Sequence, residues 1–185
     1  MFSRKQKSNT SVSTDNDKRR RLYETLVNEL HSDLFRYAYW LIKDKSVAED
    51  VIQETYLRAW KSLDSLKDIK AAKAWMITIL RRENARRFER KQLDVVDIDD
   101  FSIADDEDNH ENKLEHRELR QHIAGLTQEY RDPLILQVVM GFSGDEIANL
   151  LALNKNTVMT RLFRARNQLK DILDKSGSIR GLEND

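Results

Sequence analysis

Apolar residues recur every three or four positions along most of this chain, which is the period of an amphipathic helix. Such series run over residues 22–41, 48–63 and 74–79 and, after a long polar interval, over 114–173. Each series places its apolar side chains on one side of a helix, so that this side is available for burial. The pattern therefore predicts an all-α fold made of two groups of helices.

Glycine and proline usage supports the same fold class. The 185-residue chain has Gly 5 and Pro 1, and all of them lie at position 125 or later. Tight turns between strands depend on these residues, so their absence from the earlier part favours helices. Cys 0 excludes disulfides, thiolate zinc sites and cysteine nucleophiles, and it suits a reducing cytoplasm.

Targeting segments are not expected from the sequence. The chain has no apolar run approaching the ~20 residues that a membrane-spanning helix requires. The first residues are polar and basic and lack the hydrophobic stretch of a secretory signal. We therefore expect a cytoplasmic protein without membrane insertion.

Charges balance over the whole chain, with Lys+Arg 32 and Asp+Glu 32, but they are separated along it. A basic run at the end of the third apolar series contains Arg81, Arg82, Arg86 and Arg87. Residues 92–111 then carry nine carboxylates and neither Lys nor Arg. Because like charges repel and resist compaction, this segment is predicted to be a flexible linker and a domain boundary.

The boundaries divide the chain into five segments. Residues 1–18 are polar and aperiodic and predict a disordered leader. A first helical domain at 19–91 and a second at 114–175 flank the acidic linker at 92–113, and residues 176–185 form a tail.

The second domain contains the pattern of two short helices joined by a tight turn, which is a helix-turn-helix. Ser143 and Glu146 form a capping box that starts the first of these helices. A short turn follows at residues 152–154, where Asn154 is placed to cap the second helix.

The second helix of this pair has the division of side chains that a major groove requires. Val158, Leu162, Ala165 and Leu169 form a core stripe, and no acidic residue lies between 155 and 170. Cations and short polar groups on the other side suit phosphates and base edges. The alternative is an ordinary solvated basic face. The candidate DNA-binding residues are Lys155, Asn156, Thr157, Met159, Thr160, Arg161, Phe163 and Arg164.

The first domain contains a candidate partner surface. Ser46 and Glu49 form a capping box that predicts a helix over the following residues. One face of this helix is not used by the local core, and it is mixed polar with one apolar residue, as partner surfaces are. An ordinary solvated face is the alternative. The candidate residues are Asp50, Gln53, Glu54, Leu57 and Lys61.

Two runs in this chain resemble a known family. Residues 144–148 (GDEIA) and 157–166 (TVMTRLFRAR) are similar to the promoter-reading end of the extracytoplasmic-function sigma factors of bacterial RNA polymerase. Residues 48–60 (AEDVIQETYLRAW) are similar to the polymerase-docking helix of the same family. The resemblance covers residues 22–173, nearly the whole chain.

The resemblance implies a subunit that binds core RNA polymerase and directs it to a subset of promoters. The first domain would dock on the polymerase clamp and read and open the −10 element with its 64–70 loop and the helix that follows. The second domain would read the −35 element with a helix in the major groove and contact the polymerase flap through residues 134–139. The candidate −10 residues are Ser65, Lys67, Arg81, Arg82, Arg86 and Arg87.

One position departs from the family's pattern, because many relatives carry Asn where this chain has Arg82. This departure bears on which base is read at the −10 element. Core RNA polymerase and promoter DNA are the implied partners, and an anti-sigma protein is a further one that the sequence leaves open. The acidic linker is either a solvated spacer or a mimic of nucleic acid in the channel that RNA later occupies.

No catalytic centre is predicted from the sequence, and neither is a cofactor or a metal. The histidines lack ligand spacing, and a flexible acidic run lacks the fixed geometry of a cation site. The alternative function is a stand-alone helix-turn-helix regulator that binds a symmetric operator as a dimer without polymerase. The histidines are His31, His110, His116 and His122.

Overall fold

The computed structural model describes residues 6–93 and 113–182, and it describes side chains over 15–89 and 118–174. Within these ranges all regular secondary structure is helical, and the chain forms two separately packed units, Met1–Asp100 and Phe101–Asp185. The all-α, two-unit prediction is therefore confirmed. The first unit contains α1 (Gln6–Ile42), α2 (Lys45–Ser62), 3-10 turns at Leu63–Ser65 and Ile69–Ala71, and α3 (Ala72–Leu93). The second unit contains α4 (Lys113–Gly125), α5 (Gln128–Val138), α6 (Gly144–Leu151) and α7 (Lys155–Leu182).

Helices α1, α2 and α3 pack on one another around an apolar core. Leu34 from α1, Ile52 from α2 and Met76 from α3 are all buried in it. The buried hydroxyl of Thr55 donates to the Val51 carbonyl at 2.7 Å, so it is hydrogen-bonded despite its burial. Each large apolar side chain buried in this way contributes about 1.5–3 kcal/mol. This core fixes which faces α2 and α3 present to solvent.

Aromatic side chains join α1 to α2 beside this core. The Tyr23 hydroxyl donates to the Tyr56 carbonyl at 3.0 Å, and the Tyr56 hydroxyl pairs with Nδ1 of His31 at 2.8 Å. Burial raises the pKa of Tyr56 to about 12, so this phenol is protonated at neutral pH. These contacts hold one side of α2 against α1 and leave the opposite side to solvent.

Helix α1 begins earlier than the sequence pattern indicates. It starts at Gln6, so it runs through most of the leader predicted over residues 1–18. No glycine or proline precedes the apolar series, and nothing in that stretch ends a helix that continues back from the packed part. Arg19, at the predicted domain boundary, donates to the Trp60 carbonyl at 2.9 Å and lies 3.5 Å from Asp64.

Helix α2 is capped by a different residue from the one predicted. Lys43 adopts a left-handed φ of 62° and ends α1, so α2 begins at Lys45 and Asp44 takes the N-cap position. The Asp44 carboxylate accepts from the Val47 amide at 2.9 Å and from the Ser46 hydroxyl at 3.0 Å. The Val47 bond, followed by the Ser46 bond, lowers the pKa of Asp44. The predicted capping box at Ser46 is therefore wrong.

The second unit buries its core between α5, α6 and α7. Leu134, Ile135 and Leu136 are buried there, together with Ile147 and Leu162. The expectation that residues 134–139 contact the polymerase flap is therefore corrected for most of this run, because its apolar side chains face the core of their own unit. Val138, at 67% exposure, is the large apolar side chain of this run that remains open to solvent.

The predicted linker lies almost entirely outside the described residues, whereas most of the predicted tail lies within them. Helix α3 ends at Leu93 and α4 begins at Lys113, close to the predicted linker bounds of 92 and 113. The linker residues 94–112 lie outside the described residues. Helix α7 continues to Leu182, so most of the tail predicted over 176–185 is a continuation of this helix.

The turn between α6 and α7 contains a strained residue. Ala152 adopts a left-handed φ of 53°, and its amide bonds back to the Ala148 and Asn149 carbonyls. A residue with a Cβ is disfavoured in this conformation, whereas glycine adopts it freely.

We expect Ala152→Gly to raise the free energy of unfolding by about 0.5–1 kcal/mol because it removes this strain. Urea denaturation followed by circular dichroism measures the change. The matched control is Ala85→Gly, an exposed position inside α3, which should lose about 1 kcal/mol. Equal losses in both variants would contradict the assignment of strain to Ala152.

Within the described residues, none of the helices combines the length and apolar character needed to cross a bilayer.

Candidate functional site

Helix α7 divides its side chains between the core and solvent, as its sequence predicts. Asn154 caps it by accepting the Thr157 amide at 2.7 Å. Val158, Leu162 and Ala165 are fully buried against the rest of the unit, and Leu169 is buried as well. The predicted core stripe and the predicted cap are therefore confirmed.

The opposite side of α7 is open to solvent, and we call it the reading face. Met159 is 48% exposed and Phe163 is 63% exposed, although both are apolar. Such exposure of large apolar side chains next to cations is typical of a surface that contacts a partner. The reading face comprises Lys155, Asn156, Met159, Thr160, Phe163 and Arg164, which are all exposed.

Two of the predicted DNA-binding residues lie to the side of the reading face. Thr157 and Arg161 are partly buried. They line a cleft of about 610 Å³ between the start of α5 and the first turns of α7. The cleft is lined by Glu129, Tyr130, Asn154, Lys155, Asn156, Thr157, Thr160, Arg161 and Arg164.

Glu129 and Tyr130 are site residues that the sequence analysis missed. An Arg161 guanidinium nitrogen lies 3.6 Å from Glu129 Oε2, and Arg164 donates to the Tyr130 hydroxyl at 3.5 Å. No periodicity or motif marks these two residues, because only packing brings the start of α5 beside α7. Their one signal in the sequence is chemical, since a carboxylate and a phenol are side chains that can pair with the predicted arginines.

Helix α6, which precedes the turn, begins with the predicted capping box. The Glu146 amide bonds to the Ser143 hydroxyl at 3.4 Å, and the Glu146 carboxylate accepts from the Ser143 amide at 2.8 Å and from its hydroxyl at 2.7 Å. The hydroxyl bond, followed by the amide bond, lowers the pKa of Glu146. The capping box is confirmed, and it fixes the start of the helix-turn-helix.

This capping box should make the second unit sensitive to acid. A carboxyl whose folded pKa is lowered contributes stability above its ordinary pKa, and that stability is lost as the pH falls through the folded value. We expect the melting temperature to fall less between about pH 6 and pH 3 in Glu146→Gln than in the unsubstituted protein, since the amide oxygen accepts the same bonds without titrating. Thermal unfolding across this range checks it. Asp171→Asn, which also removes one carboxylate from the second unit, is the control, and an acid profile of Glu146→Gln identical to that of this control would contradict the expectation.

The basic end of α3 presents only some of its predicted arginines to solvent. Arg82 and Arg86 are exposed, and Arg86 lies 2.9 Å from Glu83. Arg81 is half-buried and donates to the hydroxyl of buried Tyr37 at 2.6 Å. Arg81 therefore joins α3 to α1, and its guanidinium is bonded to Tyr37 and only partly exposed.

Arg87 connects the basic end of α3 to α2. Its guanidinium lies 3.7 Å from the Asp50 carboxylate, and both side chains remain partly exposed. The sequence analysis assigned these residues to two different surfaces. The structure shows that the two surfaces adjoin at this ion pair.

The loop between α2 and α3 contains the other two predicted −10 residues. Ser65 and Lys67 are exposed. The Ser65 hydroxyl donates to the Ser62 carbonyl at 2.7 Å and accepts from the Trp75 indole at 3.2 Å. Trp75 is half-buried on α3, and its hydrogen bond to Ser65 holds this loop against that helix.

The predicted partner surface on α2 is a continuous exposed face, which we call the docking face. Its members are spaced three or four residues apart and so lie on one side of the helix. Leu57 is 54% exposed at its centre. The docking face comprises Asp50, Gln53, Glu54, Leu57 and Lys61, which are all exposed.

The side chains on these surfaces indicate which classes of ligand they suit. Over the part of the chain whose side chains are described, His, Asp and Glu do not gather into a group of three that could hold a metal ion. The surfaces that stand out are a basic reading face, the basic end of α3 with the mixed-charge loop before that helix, and a mixed docking face. These suit nucleic acid and protein as ligands.

Comparison with known families assigns both units. The model of Sigma-70 region 2 matches residues 26–93, and the model of Sigma-70 region 4 matches residues 116–169. The first match spans the docking face and the basic end of α3, and the second spans the reading face.

Curated relatives match over most of their length. The chain is 31% identical over 164 residues to the ECF RNA polymerase sigma factor SigL of Mycobacterium tuberculosis, a match that covers 86% of this chain and 93% of that protein. It is 26% identical over 162 residues to SigX of Bacillus subtilis, covering 80% and 81% of the two chains.

A solved structure has the same fold. The sigma factor RpoE of Bartonella quintana, in complex with the anti-sigma factor NepR, matches with a TM-score of 0.70 and 27% identity over 82% of this chain and 96% of that chain. The chain thus belongs to the ECF family of RNA polymerase sigma factors, the subunits that bind core polymerase and direct it to promoters.

Proposed function

We propose that the two units of this sigma factor read two separate promoter elements. The second unit would insert α7 into the major groove of the −35 element. The observation that carries this proposal is the reading face, on which cations, short polar groups and Phe163 are exposed opposite a fully buried stripe. We assign Arg164 to a base contact because its side chain is exposed and a guanidinium matches the edge of a guanine.

The first unit would dock on the polymerase and read the −10 element. The docking face supports the first role because it is exposed and surrounds an exposed apolar residue, Leu57. The loop with Ser65 and Lys67 and the exposed cations Arg82 and Arg86 support the second role. The Arg87–Asp50 ion pair lies where the docking face and the basic helix end adjoin.

Each DNA-binding surface is small and binds weakly by itself. Selectivity would then arise when the polymerase holds both surfaces at a set separation and makes the second contact effectively intramolecular. The transcription chemistry would belong to the polymerase, and the protein would act in the cytoplasm without supplying a catalytic group.

An anti-sigma protein is a further proposed partner. The relative from Bartonella quintana was solved with the anti-sigma factor NepR, and it shares the fold of this chain at a TM-score of 0.70. We propose that a protein of this kind covers the docking face and so keeps the polymerase away. Competition between such a protein and core polymerase for this chain would test the proposal.

A reconstituted transcription system tests the main proposal. Core polymerase with the purified chain should start transcripts at a reproducible subset of genomic promoters, whereas core alone should not. The alternative of a stand-alone dimeric regulator predicts tight binding to a symmetric operator without polymerase. Such binding, together with no effect on initiation, would overturn the proposal.

A further inference from the structure

Two carboxylates from outside α7 lie against cations on the reading face or directly beside it. Glu129, in the first turn of α5, lies 3.6 Å from the Arg161 guanidinium. Asp145, in the first turn of α6, accepts from the Lys155 ammonium at 2.8 Å. The run from 155 to 170 contains no acidic residue of its own, so these carboxylates come from other helices.

Helix capping alone does not account for Asp145. In the same turn, the Glu146 carboxylate turns back to the amide and hydroxyl of Ser143 and completes the capping box. Asp145 instead reaches across to Lys155, ten positions later in the chain. The two neighbouring carboxylates therefore have different partners, and only one of them is used by the cap.

The ion pairs are weak enough to open when DNA arrives. The side chains of Lys155 and Asp145 are both more than half exposed. In the second pair Glu129 is about half exposed and Arg161 is 28% exposed, so this pair also remains in contact with solvent. Exposed pairs of this kind contribute little to stability, so they are exchanged easily for another anion. In the free protein the two carboxylates compensate two cations that would otherwise be available to phosphates. When DNA binds, the same carboxylates place negative charge beside its backbone.

We propose that Glu129 and Asp145 are specificity-determining residues, which lower the affinity of this sigma factor for DNA of arbitrary sequence. Sequence-independent affinity comes from cations that neutralise phosphates and release counterions. When a carboxylate pairs with such a cation, the ion pair must be broken before the cation can contact a phosphate, and the carboxylate also repels the backbone. At the right promoter, base-edge contacts of the reading face offset the loss, whereas other DNA offers none. The inference rests on the proposed role of α7 in reading the −35 element.

The test uses the full chain with a random-sequence duplex, measured by fluorescence anisotropy over a range of salt concentrations. The variant is Glu129→Gln with Asp145→Asn, which keeps the shape of each side chain and removes both negative charges. The matched control, Asp171→Asn with Asp174→Asn, removes the same charge from exposed positions further along α7. We expect the variant to bind random DNA about fivefold to tenfold more tightly per freed cation near 0.1 M salt, with a slope of log K against log salt that is steeper by about 0.9 per pair.

A second measurement addresses selectivity in the holoenzyme. The ratio of transcription from a selected promoter to transcription from the same promoter with a scrambled upstream element should fall in the variant and not in the control. A merely structural role of the two carboxylates would lower the melting temperature and leave both the affinity for random DNA and this ratio at the control's values. That result would overturn the inference.

Failure of the inference and failure of the α7 assignment are distinguishable. Arg164→Ala is measured beside the other variants, and if it weakens promoter recognition while the carboxylate variant matches its control, only the inference fails. If Arg164→Ala leaves promoter recognition unchanged, the assignment of α7 fails and the inference with it. Should the double variant not fold, the single variant Glu129→Gln leaves α6 unaltered. Its affinity for random DNA is measured in the same way, and the expected change is that of one ion pair.

Discussion

Holoenzyme carrying Arg164→Ala should lose about 1–3 kcal/mol of recognition at the −35 element if the guanidinium is bidentate to a guanine. This corresponds to a loss of about fivefold to 150-fold in promoter binding. The side chain is exposed, and it donates to the Tyr130 hydroxyl at 3.5 Å, so truncation removes no core contact. Binding to selected promoters in gel-shift and run-off assays measures the effect.

Two controls separate base reading from charge. Arg164→Lys keeps the charge and loses the bidentate geometry, so it should remain impaired. Arg166→Ala removes a neighbouring cation that bonds to Gln137, and it should weaken binding about equally at all sequences. An Arg164→Ala holoenzyme that initiates normally at every promoter would remove the base-reading assignment.

Glu54→Lys should reduce the affinity for core polymerase by about tenfold or more, while the second unit stays folded. Glu54 is exposed on the docking face beside Leu57, so the substitution leaves the core of the first unit intact. Reversing a charge inside a complementary interface places like charges together, which costs several kcal/mol. Competition with the unsubstituted chain for a limiting amount of core polymerase measures the loss.

The matched control for this variant is Glu49→Lys. Glu49 is exposed on the same helix, and Glu49→Lys makes the same change of charge. It lies about 140° around the helix from Glu54, at the margin of the docking face. It should bind polymerase nearly as well as the unsubstituted chain. Equal losses in the two variants would show that the charge of α2 as a whole matters rather than this face.

Much of the fold followed from local pattern. The helical periods, the lack of early glycine and proline, and the run of carboxylates predicted two helical units and their approximate bounds. The capping box at Ser143 and the cap at Asn154 were also predicted, because these motifs involve residues only three positions apart. The predicted cap of α2 was wrong. Lys43 adopts a left-handed conformation that ends α1 early enough for α2 to begin at Lys45, so Asp44 is the N-cap in place of Ser46.

The partners of charged residues were not predictable in the same way. Arg81 belongs to a basic run in the sequence, yet it bonds to Tyr37, which is 44 positions away. Arg161 meets Glu129 and Arg87 meets Asp50 across helices that only packing brings together. A charge count along the chain treats all of these arginines alike.

The sequence by itself determined the packed helical segments of both units, which face of each is apolar, and that α7 has a basic face without acidic residues between 155 and 170. These properties depend on neighbours within one or two turns, and such neighbours are visible in the order of residues. Tertiary structure alone decided which cations face solvent and which carboxylates stand beside them. The electrostatic character of a surface is set by distances between side chains a few ångströms apart, and those distances exist only once the helices have packed.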